Sequence, residues 1–279
     1  MTKLSELARL SRPVNCIITF ASVWGGAIVA SDLLFSLRIV VASLSAVLIA
    51  GYGNIVNDIF DIDIDRLIKP QRPLVRGTVR KSEAVTLAIL LGFTGMTLSF
   101  LISEYAFVAA ALAILLLSVY SPLLKGAYFL GNLVVAAVSA LAFVYGGMAV
   151  DRPLGAWVLI VFSFLLHFGR EVIKDIHDKD ADIASGLKTG AAINDGRTSQ
   201  LVAAFILLLL IVAALLPAIA GIYGPLYLIA ILAVDAVLIS SIWRLFASHD
   251  ARVMDNIAVH LKAIMPLGLV AVILGSRGL

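Results

Sequence analysis

Nine long apolar segments limit what this chain can fold into. They fall at about 14–30, 38–57, 82–102, 105–120, 128–149, 154–173, 199–217, 222–245 and 257–275. As helices, segments of this length can cross the hydrocarbon core of a bilayer, which is about 30 Å thick. Only helices and closed barrels satisfy their backbone hydrogen bonds in lipid, and these segments lack the alternation of barrel strands. The sequence therefore predicts nine transmembrane helices.

The composition excludes an ordinary soluble domain. Hydrophobic residues make up 61% of the chain and charged residues 14%, whereas soluble domains are about half apolar and about one quarter charged. We therefore expect an all-α polytopic membrane protein in which residues 1–279 form a single integral membrane domain. Cys16 is the only cysteine, so no internal disulfide can form.

A cluster of acidic residues closes the second apolar segment. Asp58, Asp61 and Asp65 are spaced three and then four residues apart, with Asn57 directly before them. On one helix they would share a face, where three carboxylates repel each other. A hard divalent cation such as Mg²⁺ takes oxygen ligands and would relieve that repulsion. We expect these four residues to bind Mg²⁺, and we expect Asp61→Ala to leave the stability of the metal-free protein little changed.

The second half of the chain repeats this pattern. Asp175, Asp178 and Asp182 have the same spacing and follow the sixth apolar segment. Acids at the membrane edge are costly and usually functional, and two clusters of identical spacing are hard to explain as solvated helix ends. We predict that both clusters bind Mg²⁺, face one another and carry the catalytic residues.

The basic residues predict the orientation of the spans. Given nine spans, all of the 21 lysines and arginines except Arg38, Arg152 and Arg277 fall on the side that carries the N-terminus. The positive-inside rule makes this side cytoplasmic. Loops 58–81 and 174–198, with both acid clusters, are therefore predicted to lie at the cytoplasmic face of the cell membrane.

Basic residues accompany both acid clusters. Metal-bound carboxylates beside arginine and lysine suit a polyanion, above all a diphosphate. At the mouth of an apolar bundle such a site suits an isoprenoid diphosphate, which ionises when charge on its leaving group is stabilised. Taken alone, each basic side chain could equally be snorkelling to the membrane surface. The residues predicted to contact the diphosphate or the acceptor are Asn57, Arg66, Arg72, Lys125, Lys174 and Lys188.

The acid motifs resemble those of a known family. Asn57-Asp58-x-x-Asp61-x-x-x-Asp65 and Lys174-Asp175-x-x-Asp178-x-x-x-Asp182 resemble the two aspartate-rich motifs of the UbiA family of intramembrane prenyltransferases. Tyr120-Ser121-Pro122 with Lys125 resembles a third family signature. The resemblance implies two four-helix repeats, at about 14–120 and 128–245, and a last helix at about 257–275. It also implies Mg²⁺ dependence and transfer of a prenyl group from an isoprenoid diphosphate.

Further stretches are similar to one branch of this family, the archaeal digeranylgeranylglyceryl phosphate synthases. They include Arg72-Pro73-Leu74, Gly131-Asn132-Leu133 and Gly186-Leu187-Lys188-Thr189. This likeness implies transfer of a geranylgeranyl group from geranylgeranyl diphosphate to the free glycerol hydroxyl of geranylgeranylglyceryl phosphate, which forms the second ether bond of archaeal membrane lipid.

Two alternatives stay open. The first keeps the chemistry but uses an aromatic acceptor such as 4-hydroxybenzoate, as in quinone biosynthesis. The second and more remote one is a cation-coupled transporter, because internal duplication and intramembrane acids also occur there. No nucleic-acid partner is expected in either case.

Overall fold

The fold is helical almost throughout. A computed structural model describes residues 2–194, 196–248 and 250–278, except for the side chain of Ile68. The earlier helices are α1 (Lys3–Leu10), α2 (Pro13–Ser31), α3 (Leu37–Phe60), α4 (Ile62–Ile68), α5 (Lys81–Phe100), α6 (Glu104–Val119) and a π-helix (Tyr120–Leu124). The later helices are α7 (Leu130–Met148), α8 (Trp157–Ala184), α9 (Gly190–Ile193), α10 (Arg197–Ile219), α11 (Pro225–Ala247), α12 (Ala251–Ala263) and α13 (Met265–Ser276). Two short strands, β1 (Ala127–Tyr128) and β2 (Lys188–Thr189), complete the described part of the chain.

Eight stretches of the described chain are long and apolar enough to cross a membrane. They coincide with eight of the nine predicted segments. The remaining segment, 154–173, lies mostly in α8, which is 28 residues long but is charged in its second half. Large apolar side chains such as Phe93, Ile219 and Trp243 are exposed, as expected for helix surfaces that contact lipid. The chain is therefore a multi-pass membrane protein, and each predicted segment contains a helix.

Residues 1–125 and 141–155 form one structural unit. Within this unit, α3 packs against α2, α5 and α6. Apolar side chains fill two neighbouring clusters, one around Val23 and Ile39 and the other around Ile55. Helix α3 is thus the central helix of this unit, and the first acid cluster begins at its last turn.

Glycines allow α2 and α7 to pack closely in this unit. A Cβ atom on Gly26 would lie 2.7 Å from the carbonyl oxygen of Phe143, and one on Gly146 would lie 2.0 Å from that of Val23. Both distances are shorter than a van der Waals contact with rigid backbone allows. Small residues at helix interfaces serve this purpose in membrane proteins.

Residues 126–140 and 156–279 form the second unit. Here α8 packs against α10 and α12, and α11 packs against α10 and α13. Buried apolar residues of these helices, such as Leu207 and Leu261, form its core. Strand β1 pairs in parallel with β2, which ties the chain before α7 to the loop after α8.

The last predicted segment, 257–275, contains two helices. Pro266 lies inside this segment and is expected to end or kink its helix, and α12 ends at Ala263 while α13 begins at Met265. Proline lacks a backbone N–H and its ring clashes with the carbonyl four residues earlier, and Pro266 therefore interrupts the helix at this point. Together the two helices still form one stretch of membrane-spanning length, Ala251–Ser276.

Candidate active site

The first acid cluster lies where α3 is followed by α4. Helix α3 ends at Phe60, and Asp61 has a non-helical conformation (φ −87°, ψ 5°) before α4 begins at Ile62. The expected single helix is therefore interrupted at Asp61. Aspartate favours helix ends because its short polar side chain competes for local hydrogen bonds.

The three spaced acids nevertheless share a buried environment. Asp58, Asp61 and Asp65 are only 4%, 5% and 2% exposed. By contrast, Asp63, which does not fit the spacing, has a side chain that is 89% exposed. The acids that the fold buries are therefore the three that follow the three-then-four spacing.

Two arginines bind the same oxygen of Asp58. Arg12 Nη2 lies 2.5 Å from Asp58 Oδ1, and Arg72 Nη1 lies 2.8 Å from it. Arg72 also pairs with Asp65 Oδ2. The structure thus places Arg72, one of the predicted phosphate ligands, between two of the buried acids.

Asp61 accepts two hydrogen bonds at its Oδ2 atom. Asn57 Nδ2 and Lys125 Nζ each lie 2.7 Å from it. The π-helix contributes to this arrangement, because the Lys125 N–H donates to the carbonyl of Tyr120, five residues earlier. Ser121 Oγ donates to Asn57 Oδ1 at 3.1 Å. Turns of π-helix are rare overall, and those that proteins contain are often found at functional sites.

Three cations balance the three acids of this cluster. Arg12 and Arg72 pair with Asp58, Arg72 pairs with Asp65, and Lys125 pairs with the remaining acid. The expectation that repulsion dominates in the absence of metal is therefore wrong. Burial raises the pKa of Asp65 above its ordinary value, with the positive charge of Arg72 opposing the shift.

A short N-terminal helix fastens the loop that carries Arg72. Glu6 in α1 is buried and accepts a hydrogen bond from Thr78 Oγ1 at 3.2 Å. Lys3 Nζ donates to the Thr78 carbonyl at 3.0 Å and to Glu83 Oε2 at 2.5 Å. These contacts connect α1 to the far end of the loop and to the start of α5, so they limit where Arg72 can lie.

The donor atoms of the first cluster suit a hard cation. Asn57 and the three buried aspartates provide amide and carboxylate oxygens, which Mg²⁺ prefers. Among the residues that the structure describes, no group of three or more acidic, histidine or cysteine side chains is close enough together to hold a metal ion without other ligands. Mg²⁺ does not require such a group, because it keeps several waters and usually takes one or two carboxylates together with substrate phosphates. These residues therefore fit Mg²⁺ bound together with a phosphate ligand.

The second acid cluster lies on the continuous helix α8. Asp175 Oδ2 accepts a hydrogen bond from Asn132 Nδ2 at 2.9 Å. Asp182 is buried, and its Oδ2 accepts one from Thr189 Oγ1 at 3.0 Å. Asp178 is partly buried. Neutral donors therefore contact two of these acids.

Three predicted basic residues have other surroundings. Lys174 Nζ pairs with Glu171 Oε2 at 2.6 Å. Arg66 pairs with the exposed Asp63 at 2.7 Å, and Lys188 is exposed in β2. Among the described residues, the structure does not pair these three cations with a predicted site aspartate. That the two acid clusters face one another stays a prediction. The first cluster belongs to one structural unit and the second cluster to the other.

Sequence reasoning missed Arg12. It directly precedes Pro13 at the start of α2, and a single basic residue before a span is ordinarily read as an orientation signal. Arg12 and Asp58 are 46 positions apart, a separation that no local spacing relates. The contact becomes visible only in the tertiary structure.

Comparisons with known proteins give one consistent result. A profile described as the UbiA prenyltransferase family matches residues 18–260. Digeranylgeranylglyceryl phosphate synthase of Thermococcus kodakarensis is 35% identical over 271 residues, which cover 96% of this chain and 96% of that protein. A solved structure described for digeranylgeranylglyceryl phosphate synthase in membranes has a TM-score of 0.80 and 31% identity, with 100% of both chains covered. A UbiA homolog from Archaeoglobus fulgidus, solved with GPP and Mg²⁺, has the same fold at a TM-score of 0.67 and 17% identity, over 96% of this chain and 99% of that one.

Proposed function

Because the chain belongs to the UbiA prenyltransferase family, we propose that it transfers a geranylgeranyl group from geranylgeranyl diphosphate to the free glycerol hydroxyl of geranylgeranylglyceryl phosphate. Prenyl transfer is the reaction of the family, and the two substrates are the proposal. The observation that carries their choice is the 35% identity, over nearly the whole chain, to a digeranylgeranylglyceryl phosphate synthase. The reaction forms the second ether bond of archaeal membrane lipid.

We assign the binding of Mg²⁺ and the donor to the first acid cluster. Asn57, Asp58, Asp61 and Asp65 would hold the ion through oxygens that the fold has already buried. When bound, Mg²⁺ neutralises negative charge that develops on the diphosphate leaving group. The A. fulgidus UbiA homolog solved with GPP and Mg²⁺ supports this cofactor and this class of donor.

Arg72 and Lys125 are assigned to the diphosphate oxygens. Each side chain pairs with a buried aspartate of the first cluster, so its charge lies beside the proposed donor site. Charge-assisted hydrogen bonds from such cations orient the diphosphate and stabilise charge on it as the carbon–oxygen bond breaks. The apolar spans exclude water that would otherwise capture the prenyl cation.

We assign the second acid cluster to a second Mg²⁺ or to the acceptor. Asn132 and Thr189 orient two of its acids through hydrogen bonds of 2.9 and 3.0 Å. An oriented carboxylate can accept the proton of an attacking hydroxyl. The acids of this cluster, assigned together to the second Mg²⁺ or to the acceptor, are Asp175, Asp178 and Asp182. The basic residues assigned to phosphate groups of either substrate are Arg66, Lys174 and Lys188.

The proposal also includes the domain organisation and the orientation. Residues 1–279 are taken as one prenyltransferase domain with repeats at about 14–120 and 128–245. The excess of basic residues on the N-terminal side supports a cytoplasmic N-terminus and cytoplasmic acid clusters. With Cys16 replaced by serine, labelling of single introduced cysteines at positions 63 and 151 from the two sides of sealed vesicles tests this orientation.

A competition between acceptors tests the proposed substrates. Purified protein receives Mg²⁺, geranylgeranyl diphosphate and equal amounts of geranylgeranylglyceryl phosphate and 4-hydroxybenzoate, and the products are identified by mass. We expect the digeranylgeranyl ether phosphate alone. Prenylated 4-hydroxybenzoate as the main product would replace the acceptor. No product from either acceptor, with protein that still unfolds cooperatively, would refute the proposal.

A further inference from the structure

Arg12 has a strained backbone between two helices. Its φ of 54° and ψ of 73° lie in the left-handed region, which costs free energy for a residue with a Cβ atom but little for glycine. Asn54 Nδ2 fastens this corner by donating to the carbonyl of Ser11 at 2.8 Å, and Pro13 begins α2 directly afterwards. Strain of this kind persists where the surrounding structure holds it and concentrates at functional sites.

The strained corner places a guanidinium in the first acid cluster. Arg12 Nη2 contacts Asp58 Oδ1, the oxygen that Arg72 also binds. The Arg12 side chain is 31% exposed, whereas that of Asp58 is 5% exposed, so Arg12 lies at the border between the buried cluster and the surface. An arginine has five N–H donors. In the described part of the chain, Asp58 accepts a hydrogen bond from one of the five N–H groups of Arg12.

The charges of the cluster favour an anionic ligand at Arg12. Arg12, Arg72 and Lys125 balance the three buried acids. A divalent cation would add two positive charges, and a prenyl diphosphate with about three negative charges would complement them. Without Arg12, the same complex would hold about one more uncompensated negative charge in a poorly hydrated site.

We infer that Arg12 is a binding residue for the diphosphate of the prenyl donor and that it forms a two-arginine clamp with Arg72. Asp58 orients both guanidiniums before the diphosphate binds. The inference rests on the proposed function only in requiring a prenyl diphosphate donor. Arg12 lies before residues 18–260, the range that the family profile matches, so the match assigns it no role.

Binding of inorganic diphosphate tests this role. Isothermal titration calorimetry with purified full-length protein and Mg²⁺ compares the wild type with Arg12→Gly and Arg12→Lys. Arg12→Gly removes the side chain and the backbone strain that a positive φ causes in a residue with a Cβ atom, so this variant should fold. We expect it to weaken diphosphate binding by at least about tenfold. Arg12→Lys should recover part of the affinity, because it keeps the charge but not the planar fork.

Two controls separate diphosphate binding from other effects. Glycerol 1-phosphate represents the phosphate of the acceptor, and Arg12→Gly should leave its affinity unchanged. Arg38 lies in the first turn of α3 and pairs with Asp151. Arg38→Ala removes this cation and should leave the diphosphate affinity unchanged.

Each other outcome counts against the inference. Unchanged diphosphate affinity in Arg12→Gly would overturn it and leave the proposed function intact. Selective loss of glycerol 1-phosphate binding would move Arg12 to the acceptor, and equal weakening of both ligands would indicate a structural role. If the wild type itself binds no diphosphate in Mg²⁺, the inference and the proposed function both fail.

Discussion

Asp61→Ala should destabilise the protein even when Mg²⁺ is absent. Asp61 is buried, and its Oδ2 atom accepts hydrogen bonds of 2.7 Å from Lys125 Nζ and from Asn57 Nδ2. The substitution removes the carboxylate that both donors share. The partly buried ammonium group of Lys125 and the amide of Asn57 then lose this acceptor, which costs free energy.

The structure sets the expected size of this effect. Removing one member of a fully buried ion pair costs about 3–5 kcal/mol. The Lys125 side chain is 22% exposed, so water compensates for part of the loss, and the free energy of unfolding should fall by about 2 kcal/mol. For a chain of this size, that change lowers the thermal midpoint by about 5 °C.

Thermal unfolding in detergent without Mg²⁺, followed by tryptophan fluorescence, measures this change. Asp63→Ala is the matched control, because Asp63 lies two residues further on and pairs at the surface with Arg66. Exposed pairs contribute little, so this control should unfold at nearly the wild-type temperature. A double variant with Lys125→Ala should lose less stability than the sum of the single variants, because neither charge is then left alone.

Equal thermal midpoints for Asp61→Ala and Asp63→Ala would refute this reasoning. That result would mean that repulsion among the acids offsets the ion pair with Lys125, as the sequence alone suggested. Strict additivity in the double variant would also contradict the ion pair, since it would show that the two side chains do not interact.

Three further predictions concern other parts of the structure. Asp235 in α11 is 2% exposed, and neither of its carboxylate oxygens has a hydrogen-bond partner among the described residues. Asp235→Leu should therefore stabilise the fold by about 1–3 kcal/mol. A thermal midpoint below that of the wild type would contradict this prediction. Gly146→Ala would place a Cβ atom 2.0 Å from the Val23 carbonyl, so size-exclusion chromatography should show loss of folded protein, and normal yield and midpoint would contradict the close packing. Burial raises the pKa of Asp65 from its ordinary 3.8, and Mg²⁺ needs the ionised carboxylate. On acidification, the stabilisation by Mg²⁺ should therefore begin to fall above the pH expected for an ordinary carboxyl group, and an Asp65→Asn variant with the same pH dependence would exclude this cause.

The membrane spans could be predicted from the sequence because lipid leaves the backbone few alternatives. Apolar length alone located a helix in every predicted segment. Apolar length alone does not mark the interruption at Ile264, since the measure gives no weight to a single proline. Pro266 is the residue in the sequence that predicts this break.

The sequence singles out the buried acids of the first cluster and several residues near them, but it does not show which cation pairs with which acid. The spacing of Asp58, Asp61 and Asp65 separated the buried acids from Asp63 because spacing along a helix determines which side chains share a face. The contact between Arg12 and Asp58 depends on the path of the chain between α1 and α3, which no local pattern encodes. Sequence reasoning therefore located the negative charges and misjudged how they are neutralised.

Release of diphosphate from geranylgeranyl diphosphate tests the central claim most directly. The rate is measured with Mg²⁺ and geranylgeranylglyceryl phosphate for the wild type, Asp58→Asn, Asp61→Asn and the exposed control Asp63→Asn. If the buried acids at the end of α3 bind the donor through Mg²⁺, the first two variants should lose release by at least about a hundredfold, while Asp63→Asn keeps nearly the wild-type rate. Similar rates in all three folded variants would show that the reaction does not depend on this cluster.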